Sequence, residues 1–191
     1  MTSAPDTKET GTRARTRLAI LEAAAGILPT RPTASLTEIA TAADVGRSTL
    51  HRYFPDRADL LAALAHHMLE RLEADFQRAE PDIGDPVDAL RRVAEAIIDR
   101  GPAMTYLYNE PTLAQHEELW GEVDPAADPV SRILDRASDR LRGDLSREWI
   151  VKCFWSLVYV GWESMRDGSM PRAVVLDSII TTMTSGILRH D

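Results

Sequence analysis

The chain has 191 residues, with 22 Lys and Arg against 30 Asp and Glu, a formal net charge of −8, and 44% hydrophobic residues. That length suits one large domain or a small module joined to a larger one, and it is enough to bury a sizeable core. No apolar run approaches the roughly 20 residues that a membrane-spanning helix needs, and the single cysteine, Cys153, rules out an internal disulfide. A soluble protein of a reducing cytoplasm, with no membrane partner, is therefore expected.

The charge is unevenly spread. Residues 1–60 carry eight Lys/Arg and seven Asp/Glu, a net +1, whereas residues 61–191 carry fourteen and twenty-three, a net −9. The acidity thus belongs to the C-terminal two-thirds, and the N-terminal third can still meet phosphates. Ala, Leu, Arg and Glu dominate and periodic β-branched runs are missing, which predicts an all-α fold of about nine helices.

In chain order, residues 1–9 form a polar arm, expected to be disordered and without the apolar run of a secretory signal. A first helix is predicted over Arg13–Leu28, with Leu18, Leu21, Ala25 and Leu28 on one stripe and Ile20, Ala24 and Ile27 beside it. Pro29 and Pro32 stop it. Ser35 then caps a second helix, and Glu38 three residues later completes a capping-box pattern. Its inner side is Leu36, Ile39, Ala40 and Ala43.

Asp44-Val45-Gly46 makes a turn, Arg47–Tyr53 a third helix, and Pro55 a stop, after which Asp56 caps a new start. A long helix follows from Arg57 to about Ala79, apolar at Leu60, Leu61, Leu64, Met68, Leu72 and Phe76. Another is expected over Asp85–Arg100, broken by Gly101-Pro102. Residues 103–127 are the least regular part, with short helices expected around Met104–Tyr108 and Leu113–Trp120. The Asp128-Pro129 pair opens a helix to about Arg142. Ser146–Arg166 and Pro171–His190 are the last two, both strongly apolar.

Residues 35–61 are the most informative stretch: two short helices, a tight turn, a sharp stop and a fresh helix start, the pattern of a helix-turn-helix. Leu50 and Phe54, four apart, face inward with Val45. That leaves Arg47, Ser48, Thr49, His51 and Arg52 for a major groove and its walls. Arg47 or Arg52 can pair with a guanine edge, and Ser48 and Thr49 can meet bases or a thymine methyl. His51 serves either as a groove contact or as a structural hydrogen-bonder. Tyr53 and Thr37 are better placed for phosphates, and Arg13, Arg15 and Arg17 can follow the backbone or enter the minor groove.

Residues 10–61 resemble the DNA-binding domain of the TetR family of transcriptional regulators. The resemblance is carried by Ile20-Leu21-Glu22-Ala23-Ala24, Leu36-Thr37-Glu38-Ile39-Ala40, Ala43-Asp44-Val45-Gly46-Arg47-Ser48-Thr49-Leu50 and Tyr53-Phe54-Pro55-Asp56. It departs from the family pattern at Asp44, where glycine is usual, at Gly46, where a capping serine is usual, and at His51, where the family has an aromatic residue. The link after the first helix is also about two residues shorter than usual. The resemblance implies a DNA-binding domain over residues 10–56 and a ligand-binding and dimerisation domain over residues 57–191. It implies double-stranded DNA with a palindromic operator as partner, a small apolar or amphipathic effector, and repression as the usual mode. By the same resemblance Arg57 adds a phosphate contact.

A homodimer is expected through the last two helices, where Gly161, Thr182 and Gly186 allow close approach; the same stripes can equally be monomer core. For the effector, the candidates are Met68, Met104, Tyr108, Trp155 and Tyr159. Trp155, Tyr159 and Trp162 share a helical face, and aromatic and methionine side chains near broken helices suit an adaptable cavity. Plain core or interface remains the competing reading of that stripe.

No catalytic set emerges, so no enzyme, no cofactor and no metal site is expected. His66 and His67 are adjacent and point about 100° apart on a helix instead of converging as i, i+4 ligands do. The alternative function is a ligand- or partner-binding protein on the same fold without specific operator binding.

Overall fold

In the computed structural model, the described residues are 11–113 and 128–187. Among them the chain forms nine helices, with no strand. They are α1 (Gly11–Ile27), α2 (Leu36–Ala42), α3 (Arg47–Tyr53), α4 (Arg57–Arg78), α5 (Pro86–Ile98), α6 (Gly101–Tyr108), α7 (Pro129–Arg136), α8 (Arg147–Arg166) and α9 (Arg172–Ile187). The expected polar arm, most of the expected Leu113–Trp120 helix and the end of the last helix lie outside the described residues. Two compact units divide between His67 and Met68, inside α4.

In the first unit the local signals act as the sequence implies. The Ser35 hydroxyl accepts from Glu38 N (3.2 Å) while Ser35 N donates to Glu38 Oε2 (2.8 Å). This reciprocal box satisfies two donors that the first turn of α2 otherwise leaves orphaned, worth about 1 kcal/mol. Asp56 Oδ1 accepts from Asp59 N at 2.9 Å and starts α4 in the same way. Ile20, Leu21, Ala24, Leu28, Ile39, Ala40, Leu50, Phe54, Leu60, Leu61 and Leu64 form the core of this unit. Leu18 departs from the expected stripe and is exposed.

The turn between α2 and α3 is closed by two hydrogen bonds, Val45 N to Ala40 O (3.0 Å) and Asp44 N to Thr41 O (3.2 Å). That is a Schellman arrangement, and it requires a left-handed residue after the helix. Asp44 takes that place at φ +54°. An aspartate tolerates this conformation better than most side chains do. Gly46 then caps α3 with no side-chain hydrogen bond.

In the second unit α5 is central and packs against α7, α8 and α9. Its N-cap, Asp85, accepts from Val87 N at 2.8 Å. One side of the helix, Ala89, Leu90, Val93, Ala94, Ile97 and Ile98, is fully buried. Arg92 closes the end of the preceding helix by donating to Ala79 O (2.7 Å), Glu80 O (2.8 Å) and Ile83 O (2.8 Å).

The helix over α5 is broken before Gly101-Pro102, and the short helix expected around Met104–Tyr108 is present as α6, starting earlier with both residues in its first turn. Proline is tolerated there because a first-turn N–H has no helical partner. One expectation needs correction: α7 ends at Arg136 and not near Arg142. Arg142 N donates to Ile187 O at 2.8 Å, so the chain is drawn to the end of α9 and leaves the helical path.

Candidate functional site

The first unit carries a polar, positively charged face built on α3. Leu50 and Phe54 are buried, which fixes the rotation of the helix. Arg47, Ser48 and Arg52 are consequently exposed, Thr49 and His51 are half-buried, and Thr37 is exposed on α2. A seven-residue helix cannot hold itself in water; its orientation comes from the two inward anchors and the turn at Asp44.

Two guanidinium groups lie by the Tyr53 ring, with Arg13 Cζ 5.8 Å and Arg52 Cζ 5.7 Å from the ring centre. Arg17 lies 5.7 Å over the Phe54 ring. These cation–π contacts gather arginines of α1 beside the end of α3, a juxtaposition that the sequence spacing does not contain. Arg15 donates to Gly11 O (3.2 Å) on its own helix.

His51 Nδ1 lies 3.3 Å from Pro55 O. A carbonyl can only accept, so Nδ1 carries the proton in this contact, and Nε2 of the neutral ring remains an acceptor. The structural and groove readings of His51 are therefore compatible, since each uses a different ring nitrogen.

The guanidinium of Arg57 donates to Ala34 O (2.6 Å) and to Pro32 O, carbonyls of the short link between α1 and α2. In this way Arg57 holds the proline-containing link against the start of α4. The sequence could not show this, because the partners are 23 and 25 residues away.

The second unit contains a cavity of about 610 Å³ lined by Met104, Tyr108, Trp155, Ser156, Tyr159, Val160 and Trp162. Four of the five sequence-derived effector candidates meet there. Met68 does not line it and is buried in the core. Trp155 is braced by the ring edges of Phe76 (6.3 Å) and Phe154 (5.7 Å), and Tyr108 and Tyr159 meet at 5.8 Å. Trp162 joins the wall because it sits seven residues past Trp155, two turns along the same side of α8, and that relation is the signal that finds it. Ser156 and Val160, one and five residues past Trp155, lie about 100° and 140° round the helix and border the cavity from its flank.

Two glycines shape the surroundings. A Cβ at Gly101 would lie 2.4 Å from Trp162 Cδ1, and one at Gly161 would lie 2.6 Å from Val175 Cγ1. Gly161 thus serves the packing of α8 on α9 within the chain, as the monomer-core reading of this stripe has it. Thr182 and Gly186 are exposed on α9. On α8, Trp149 and Val160 are 59% and 58% exposed. With Cys153, Leu157 and Thr182 they border a shallow depression of about 340 Å³, an apolar area that a monomer leaves in water.

Among the described residues no group of three or more His, Cys, Asp or Glu could hold a metal ion, and no helix is long and apolar enough to cross a membrane.

Comparison with known proteins agrees with this geometry. The family of bacterial regulatory proteins called tetR matches residues 20–64. The HTH-type transcriptional repressor LfrR of Mycolicibacterium smegmatis is 46% identical over 181 residues, 94% of this chain and 94% of that protein. The HTH-type transcriptional regulator NfxB of Pseudomonas aeruginosa is 27% identical over 78% of this chain and 82% of its own length. The crystal structure of LfrR in complex with proflavine superimposes with a TM-score of 0.77 at 41% identity, covering 93% of this chain and 99% of that one. A TetR-family regulator from Haemophilus influenzae gives 0.69 at 14% identity, covering 94% and 100%. That last likeness concerns the fold alone.

Proposed function

Because the chain belongs to the TetR family of transcriptional regulators, whose members bind DNA, respond to small molecules and act as dimers, we propose that it is a cytoplasmic repressor released from a palindromic operator by a flat aromatic effector. The observation that carries this reading is the coexistence of two built surfaces: the polar face of α3 anchored by Leu50 and Phe54, and the aromatic cavity around Trp155 and Tyr159. Residues 10–56 form the DNA-binding domain in this reading, and residues 57–191 the domain that binds effector and partner.

On DNA, Arg47, Ser48, Thr49, His51 and Arg52 read base edges, while Thr37, Tyr53 and the neighbouring Arg13 and Arg17 meet phosphates. One seven-residue helix offers too few contacts for tight specific binding, so two copies share a two-fold site with their readers about one helical turn or a multiple apart. The exposed apolar area bordered by Trp149, Val160 and Thr182 on α8 and α9 is the surface proposed to meet its copy.

Met104, Tyr108, Trp155 and Tyr159 stack on the effector, which LfrR's complex with proflavine supports as a chemical type. For the effector to regulate, it must favour one of two states of the dimer; a coupling of about 1–3 kcal/mol changes operator affinity roughly 5–150-fold. α4 contributes residues to both units and is the element proposed to carry that coupling.

Selection of bound sequences from a random DNA library tests the proposal. A sharp palindrome, weakened by Arg47→Ala and Arg52→Ala and released by proflavine, is expected. Salt-sensitive binding without sequence preference would instead favour a ligand-binding protein that has no operator.

A further inference from the structure

We propose that the cavity selects a positively charged aromatic ligand, and that Asp128 imposes this selectivity through Trp155; the proposal rests on the reading of the cavity as the effector site. Asp128 is 7% exposed. Its Oδ1 accepts from Val130 N (2.7 Å) and Ser131 N (2.9 Å), capping α7. Its Oδ2 accepts from Trp155 Nε1 at 3.0 Å. No Lys, Arg or His pairs with it among the described residues.

The three N–H groups satisfy hydrogen bonds but bring no net charge. A buried carboxylate without a counter-charge is costly. A helix cap does not demand it, because Ser or Asn caps as well without the charge. The negative charge therefore meets the partial positive end of α7 but no counter-ion among the described residues, one hydrogen bond behind the wall of the cavity.

Trp155 passes that charge forward. An indole whose N–H donates to a carboxylate is polarised toward a more electron-rich ring. The ring edges of Phe76 and Phe154 hold it in place. Among the described lining side chains none is basic, and Tyr108, Tyr159 and Trp162 add further π faces. A cation stacked here gains from the ring quadrupoles and from the buried charge at low local dielectric. A neutral ligand of the same shape gains stacking alone, and an anion is repelled.

The test compares two three-ring probes at about pH 8: proflavine, which is cationic, and acridine, which is neutral. Affinities are measured on the full-length protein, on Asp128→Asn and on Asp128→Ser. Both variants retain a capping oxygen, and folding is checked by thermal melting. The expected result is wild-type binding of proflavine about tenfold or more tighter than acridine. Either variant closes that gap by weakening proflavine while leaving acridine within about twofold. Equal weakening of both probes would reduce Asp128 to a cap and overturn the proposal, as would equal wild-type affinity for both. If wild-type protein binds neither probe, the cavity is not an effector site and the reading beneath the proposal fails first.

Discussion

Trp162 and Gly101 are in such close contact that a Cβ on the glycine would lie 2.4 Å from the indole Cδ1 and 2.6 Å from Nε1. The indole N–H is buried there without a hydrogen-bond partner among the described residues, which costs roughly 1–3 kcal/mol. Yet the arrangement sets the first turn of α6 against α8 and gives the cavity one of its walls.

Gly101→Ala should therefore act on both stability and ligand. Overpacking of about 1–3 kcal/mol corresponds to a melting point lower by roughly 2–12 °C for a chain of this size. The same change pushes the indole from its seat and alters affinity for a cavity ligand. Adding Trp162→Leu should recover most of the lost melting temperature, since the clashing ring is then absent. A single variant that melts like the wild type would rule out the close packing.

Arg57 and the arginines of α3 should separate in their salt dependence. Removing a phosphate contact lowers the slope of log affinity against log salt by about one. Arg47→Ala or Arg52→Ala should do this. Arg57→Ala should leave the slope unchanged and instead lower stability by about 1–2 kcal/mol, through loss of the charged hydrogen bonds to Pro32 O and Ala34 O. A lowered slope in Arg57→Ala would restore its role on DNA.

Asp44→Gly is expected to stabilise. The residue sits at φ +54°, where glycine has no Cβ penalty, and the gain should be about 0.5–1 kcal/mol after the greater freedom of glycine in the unfolded chain is deducted. Urea unfolding measures it, and a lower midpoint in the variant would contradict the Schellman geometry.

The capping box gives α2 a pH-dependent contribution. Glu38 is held below the ordinary glutamate range chiefly by the Ser35 backbone N–H, then by the Ser35 hydroxyl, and lastly by the charge of Arg31. A depressed folded value means that the unfolded chain binds the proton more readily. The contribution is complete above the ordinary value of about 4.3 and disappears as pH falls through the folded one. Glu38→Gln should therefore be less stable than wild type at about pH 7, with the difference shrinking toward about pH 3. Urea midpoints at the two pH values that stay equally far apart would show that Glu38 contributes through shape and not through charge.

Much of this protein is determined locally, and that part is legible in the amino-acid sequence. Caps at Ser35, Asp56, Asp85, Asp128 and Ser146, the inward pair Leu50 and Phe54, and the shared face of Trp155, Tyr159 and Trp162 all follow from relations of two to seven residues. The helix repeat fixes such relations whatever the rest of the chain does. The tertiary structure alone decides what reaches across the fold. Arg57 holds the link at Pro32 and Ala34; Gly161 packs against Val175 inside the chain; Gly101 leaves the space that the Trp162 indole fills. Asp128, legible as a cap, becomes a charge behind the cavity only when Trp155, 27 residues on, is folded against it. The helix-turn-helix could be read from one segment because its geometry is local. The cavity could not, because its character depends on side chains that only packing brings together.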